Sequence, residues 1–522
     1  MERKWWTLIA VSVAIFMLLL DITVVNVALP DIQRSLHSSF SDLQWVVDAY
    51  SLTLAAFLLT AGALSDLLGR KRVFVAGLVV FTASSVVCGL SSSALMLNLA
   101  RGVQGTGGAM MFSTSLALIA QAFQGKERGT AFGVFGAVTG AAVAVGPLVG
   151  GIITSGIGWE WIFFVNLPIG VMAVILTLTQ VAESRDPNAR GVDWLGLLTF
   201  SGSLFLLVFA LVRGNDKGWG STQIVAFLVI SLALLVLFVI VERVQKRPML
   251  DLALFRRPAF TGANIVAFAL SGSIFAMFLY LTLYIQDVLG FSPLQAGLRF
   301  LPITLLSFIV APVAGRLSVR VPIRMLLGVG LLLISAGLVA MTAVDAGSGW
   351  TTLIPGFAIA GVGIGLVNPP LASAAIGVVP PARSGMASGI NSTFRQVGIA
   401  TGIAGLGAIF QHSVTKSTSA ALKATGHARE ILTASHGQLS TLLESGNVNQ
   451  IAHTLSPSAR SALVSSYRVG FTDAFTDILI VAAVLALVGS ILAFILVRSR
   501  DFVSAENAPA AQEPEPVAVA AG

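Results

Sequence analysis

The chain has 522 residues, of which 56% are hydrophobic and 11% charged, with a formal net charge of +7. A water-soluble domain carries about a quarter charged residues, so the soluble classes are excluded. Cys88 is the only cysteine, which excludes an internal disulfide and a cysteine-based metal cluster, and the positive excess has to be read by its position relative to a bilayer.

Apolar runs long enough to cross a ~30 Å hydrocarbon core recur along the chain. Backbone groups in lipid must be satisfied within each segment, so every run is predicted to be a helix. The first covers 6–28, directly after Met1, Glu2, Arg3 and Lys4; it is too long for a signal peptide, and no small-residue cleavage site follows before Pro30. Next come 44–64, 73–91, 95–122, 129–154 and 161–181. Two further runs, 193–212 and 221–241, form a tight hairpin joined through Gly214, Gly218 and Gly220. The last six are 260–286, 295–317, 323–343, 351–377, 385–409 and 472–497. Fourteen spans put both termini on one side, and basic loop residues such as Arg70, Lys71, Arg72, Arg256 and Arg257 place that side in the cytoplasm. Residues 411–470 form a long polar segment on the other side, read as a variable external loop, with a partner-binding or gating cap as the alternative. Ser417–Ser435 and Ser456–Tyr467 are helix candidates within it. The end of the chain, 501–522, is rich in Ala, Pro and Glu and is expected to be a disordered cytoplasmic tail.

Weak internal echoes lie eight spans apart, as in transporters built from repeats. Gly129, Ala131 and Gly133 open the fifth span; Gly385, Ala387 and Gly389 open the thirteenth in the same spacing. Gly105 and Gly107 in the fourth span match Gly361 and Gly363 in the twelfth. This offset predicts an all-α integral membrane protein with an N-terminal six-helix bundle over 1–182, a two-helix insertion with cytoplasmic linkers over 183–258, and a C-terminal six-helix bundle over 259–500.

The turn after the second span carries Gly62, Asp66, Gly69, Arg70, Lys71 and Arg72, one acid among three bases. Its physics suits a latch, because Asp66 can accept charge-assisted bonds from an arginine or sit at a helix N-terminus while glycines let helices approach. This turn resembles the signature loop of the major facilitator superfamily; a degenerate second copy at Gly315, Arg316 and Arg320 lacks the acid, so the latch is expected to be asymmetric. The stretch from Leu20 to Pro30, with Asp21, Thr23 and Asn26, resembles the first-span mark of the 14-span drug:proton antiporter branch. Arg101, Gln104 and Gly105 are similar to the superfamily's embedded-arginine motif, and Gly140, Gly146, Pro147, Gly150 and Gly151 to its antiporter element. The resemblance implies a major facilitator fold of two six-helix bundles plus two central helices. It also implies proton-coupled multidrug efflux and antibiotic resistance, with residence in a bacterial plasma membrane. The fifth-span glycines then serve as a hinge between inward-open and outward-open forms; tight helix packing explains them equally well.

An ionisable side chain inside the hydrocarbon is costly and is a functional candidate by default. Asp21, Asp48, Arg101, Arg395 and Asp477 fall within the spans, whereas His37, His412, His427, His436 and His453 fall outside, so carboxylates rather than histidines must carry protons. Asp21 is the leading proton site, with Arg101 tuning it and Asp48 as competitor; a structural ion pair is the alternative for Asp21, and a solvated helix end for Asp48. Competition of a proton and a cationic substrate for one acid, combined with two alternating conformations, suffices for antiport. The substrate cavity is assigned to Asn26, Gln104, Met110, Met111, Phe112, Asn264, Phe275, Phe278, Tyr280, Asn368 and Arg395. Adaptable Met and aromatic walls suit loosely specific binding, although such residues are more often plain packing. Arg395 is open to two readings, an anionic group on a substrate or lipid, or a buried structural partner.

No phosphate-cradling glycine loop and no zinc-binding helix motif occurs, so neither ATP nor a metal drives the protein; no cofactor is expected beyond a proton gradient as the energy source. The implied partners are a small hydrophobic or cationic substrate, protons and membrane lipid, with no nucleic acid. Export of one dedicated metabolite, antibiotic, siderophore or lipid is the alternative, and a non-transporting membrane receptor or assembly factor a distant one. Import uses the same architecture; the antiporter element is the reason to expect export.

Overall fold

The computed structural model describes residues 2–36, 40–123, 125–185, 193–245, 250–379, 384–435, 455–498 and 501–502, and contains no strand among them. The helices are α1 Arg3–Leu36, α2 Phe40–Leu68, α3 Arg70–Gly89, α4 Ala94–Ala122, α5 Gly125–Gly156, α6 Trp161–Phe164, α7 Asn166–Gln180, α8 Trp194–Lys217 and α9 Thr222–Val244. They continue with α10 Pro258–Leu270, α11 Ala276–Leu283, α12 Pro293–Arg299, α13 Leu301–Leu317, α14 Ile323–Met341, α15 Ile354–Gly377, α16 Ser384–Lys423, α17 Ala428–Ala434 and α18 Pro457–Leu496. Two π-helical turns, Ser271–Phe275 and Tyr284–Val288, interrupt the crossing that contains α10 and α11.

Helix runs through each of the fourteen predicted segments, and eleven described stretches are long and apolar enough to cross a membrane. Of the other three, α4 is long but rich in Gly, Ser and Thr, α13 is apolar but short, and α5 contains positions outside the described residues.

α1 to α7 pack on one another, chiefly α2 and α3 on α4, and α1 on α5 and α7. α10 to α18 form a second set, in which α15 packs on α13 and α14, and α18 on α14 and α16. α8 and α9 pair with each other, and α8 leans on α2 and α16. Small residues allow the close crossings. A Cβ at Gly105 would collide with the Tyr50 carbonyl of α2, and one at Gly363 with the Gly330 carbonyl of α14, which is how helices associate when lipid removes the hydrophobic drive. Exposed Val229, Leu232, Val236 and Ile240 cover the outside of α9, as a lipid-facing helix requires.

The sequence echoes meet across the seam between the two sets. Gly129 and Gly133 of α5 lie against Gly315 of α13, the backbones approaching so closely that a Cβ on Gly129 or Gly315 would strike the other's carbonyl. At the corresponding crossing, Gly389 of α16 lies against Leu58, Leu59 and Gly62 of α2.

The polar segment 411–470 departs from the expectation of a loop with separate surface helices. α16 and α18 each run 40 residues without interruption, about 60 Å of helix and twice the hydrocarbon thickness. Beyond the apolar stretch they hold each other. Gly470 abuts Thr418, Ser413 Oγ donates to Asp477 Oδ2 at 2.8 Å, and Leu422, Ile431, Ala459 and Leu463 form a small separate core closed by α17. Glu430 of α17 accepts from the Ser456 N–H at 3.0 Å, and this bond holds its carboxyl below the usual range. Residues 436–454 and 503–522, which include His436, His453 and most of the expected tail, lie outside the described residues.

Candidate functional site

Asp21 of α1 is buried at the convergence of α1, α2, α3, α4 and α7, with 2% of its surface exposed. Its Oδ2 accepts from Arg101 Nη1 at 2.5 Å, and its Oδ1 accepts from Gln104 Nε2 at 3.0 Å and Asn166 Nδ2 at 2.9 Å. Arg101 Nε donates to the Val46 carbonyl of α2 at 3.0 Å, and its Nη1 also donates to Gln104 Oε1 at 2.8 Å. The guanidinium lies 4.2 Å from the centre of the Tyr50 ring. Asn166 Nδ2 in turn donates to Ser85 Oγ at 2.9 Å, and Ser85 Oγ donates to the Phe163 carbonyl. The carboxylate acts only as an acceptor, with every donor a side chain from another helix. Such a pair costs its desolvation and is held by its geometry, so a change at any one member is felt on several helices. The side chains of Asp48, Asn26 and Pro147 lie outside the described residues.

The second charged centre lies where the end of α2 and the start of α3 meet the first turn of α16. Asp66 Oδ1 accepts from Arg70 Nε at 3.0 Å and Nη2 at 2.8 Å, while Arg70 Nη1 donates to Gln121 Oε1 of α4 at 2.9 Å. Asp66 Oδ2 accepts from the backbone N–H of Met386 at 2.8 Å, in the first turn of α16. A carboxylate of the first set thus caps a helix of the second, where the helix dipole favours negative charge. Gly69 turns the chain with φ of +110°, a conformation that favours glycine. Glu183 then accepts from the N–H groups of Lys71 and Arg72 at 3.0 and 3.2 Å, covering the N-terminus of α3.

A third charged residue faces the seam. Arg395 of α16 donates from Nη1 to Asn368 Oδ1 of α15 at 3.1 Å. The Asn368 and Pro369 side chains lie beside Gly136 of α5, where a Cβ would meet Pro369 Cγ at 3.2 Å and Asn368 Cβ at 3.7 Å.

The described residues assigned to the substrate cavity sit in different packing environments. Gln104 belongs to the Asp21 cluster. Met111 is fully buried in the core of the first set, Met110 is set against Gly77 of α3, and Phe112 packs on the same core. Tyr280 is buried in the second set with its hydroxyl donating to the Ile403 carbonyl at 2.9 Å. Phe275 and Phe278 pack on that core, Phe275 ending the first π-helical turn. Asn264 Oδ1 accepts from Asn391 Nδ2 at 3.3 Å. Gly146 and Gly150 are pressed on Thr23 and Val24 of α1, while Gly140 leaves ordinary space beside Ser307 of α13. Their immediate effect is therefore close packing of α5 on α1.

Asn166, Tyr50, Gln121, Glu183 and the Met386 N–H are partners that the residue types alone did not single out. For Asn166 the available signal was its polarity at the start of a largely apolar helix.

Residues 11–403 match the model of the Major Facilitator Superfamily. The chain is 39% identical over 404 residues, 77% of its length and 75% of the relative's, to the multidrug resistance protein Stp of Mycobacterium tuberculosis. Against the tetracenomycin C resistance and export protein of Streptomyces glaucescens it is 32% identical over 489 residues, 92% of this chain and 91% of that one. Its fold is similar to that of the proton:xylose symporter XylE, with a TM-score of 0.61 at 13% identity over 95% of this chain and 96% of that one. The chain belongs to the Major Facilitator Superfamily; it is a multi-pass membrane transporter and not an enzyme.

Proposed function

We propose that the protein exports hydrophobic small molecules across a bacterial plasma membrane in exchange for protons, with both termini in the cytoplasm and no cofactor. The names of the two relatives, one a multidrug resistance protein and one a resistance and export protein, support export. The observation that carries proton coupling is the Asp21–Arg101 pair, a membrane-embedded acid bonded to the arginine that also holds the Val46 carbonyl of α2. A proton on Asp21 removes the charge that Arg101 answers, and the change reaches α2 directly. At its other end α2 carries Asp66, whose bond to Met386 is our proposed latch between the sets. Proton uptake and release of the latch are then coupled along one helix. The helices of 1–182 and 259–500 rock against each other about the seam, with 183–258 beside it, and the glycines of α5 accommodate the movement.

The test is reconstituted export of rhodamine 6G with and without an imposed proton gradient. Wild-type protein should accumulate the dye against its gradient and stop when an uncoupler is added. Asp21→Asn should lose accumulation while still letting the dye move down its own gradient. Full uphill accumulation by that variant rejects Asp21 as the proton site. A second reading, export of one dedicated compound, is favoured by the single antibiotic in the name of the Streptomyces relative; transport confined to one member of a dye panel would select it.

A further inference from the structure

Two arginines stand within the apolar stretches, and they are treated differently. Arg101 has a carboxylate, an amide oxygen, a backbone carbonyl and an aromatic face. Arg395 has one neutral amide oxygen, that of Asn368, and among the described residues no carboxylate answers its charge. A guanidinium presents five N–H donors, so most of its hydrogen-bonding capacity has no partner among the described residues. Ser388 and Ser392 share its face of α16 at helical spacing, and both hydroxyls are buried without a partner among the described residues. Asn368 fixes the guanidinium from the side, and Asn368 itself lies in the seam beside Gly136 of α5. Placing an unneutralised cation at this depth costs about 3 kcal/mol on insertion scales, and an oxyanion seated on the fork would offset that through charge-assisted bonds.

We infer that Arg395, oriented by Asn368, is an anion-receiving subsite for exported molecules that carry a carboxylate or phenolate oxygen on an otherwise hydrophobic frame. The inference rests on the export reading and adds acidic molecules to the cationic ones expected from the sequence. Ser388 and Ser392 supply neutral donors along the same face. A lipid phosphate offers the same oxyanion chemistry and is separated from a small molecule in the test.

Binding and transport are measured separately. Fluorescein, an aromatic carboxylate and phenolate, is titrated into full-length protein in dodecyl maltoside and followed by anisotropy; rhodamine 6G is the cationic counterpart. Arg395→Gln should weaken fluorescein at least tenfold and leave rhodamine 6G within twofold, and Arg395→Lys should recover part of the loss. Equal fluorescein binding by wild type and Arg395→Gln overturns the inference, as does a parallel loss of both dyes. Loss of wild-type fluorescein binding on adding phosphatidylglycerol, with no loss on adding phosphatidylcholine, assigns the subsite to lipid and also overturns it. Failure of proteoliposomes to move either dye under a proton gradient rejects the export reading, while the anisotropy result still decides whether Arg395 receives the anion.

Discussion

Arg101 is bound by the Asp21 carboxylate, the Gln104 amide and the Val46 carbonyl while lying on the Tyr50 ring. Lysine keeps the charge but has no planar fork and no flat face to stack. Arg101→Lys should therefore lower the stability of the purified protein by about 2 kcal/mol, the loss of one or two charge-assisted bonds, read as a fall in thermal midpoint in detergent. An unchanged midpoint would mean that the guanidinium geometry holds nothing in place. The two charges were legible in the sequence because a charge inside an apolar run is costly and therefore conspicuous. Tyr50 and Asn166 were not, because neutral polar residues on a membrane helix carry no periodic signal of what they face. Their part depends on five helices converging, and only packing reveals that. Arg395 was legible as an embedded charge, but that no acidic partner answers it among the described residues is a fact of packing.

At the scale of helices, the crossings are set by glycine rather than by large side chains. Gly315→Val would drive a branched side chain into the Gly129 carbonyl and force α5 and α13 apart. The protein should still insert, because this crossing joins the two sets and not the core of either. Transport should fall more than tenfold, and hydrogen exchange at 318–320 should rise; unchanged transport would show that this crossing does not have to close. The Gly-x-Ala-x-Gly echo could be read from sequence, but not which helix each copy would meet. Hydropathy located the apolar stretches well because lipid dictates them. It missed where α16 and α18 end, since outside the bilayer those helices are held by each other, through contacts such as Gly470 on Thr418 that no single segment displays. The π-helical turns at Ser271–Phe275 and Tyr284–Val288 were equally invisible, because they shift the hydrogen-bond register without changing composition.

For the whole molecule, the proposed sidedness rests on the basic loops. Single cysteines introduced as Arg3→Cys and Asp501→Cys should react with an impermeant maleimide from one side of sealed vesicles, and Ser456→Cys from the other. Labelling of Ser456→Cys and Arg3→Cys from the same side would overturn the assignment. Native Cys88 is buried and should remain silent in this experiment. Overall class was legible because composition alone demands a bilayer, whereas the seam between the two sets depends on pairings hundreds of residues apart. One helix threads the places that matter: α16 begins beside Asp66 at Met386, passes the seam at Arg395 and ends in the small outer core near Leu422. From Met386 to Lys423 is about 55 Å of uninterrupted helix. A stiff rod of that length pivoting at one end moves its other end by about 5 Å for a tilt of about 5°, simple lever arithmetic on the same rise per residue. On the proposed sidedness, an antibody fragment gripping the far tip would thus brake the machine mechanically from outside the cell, without competing for anything it carries.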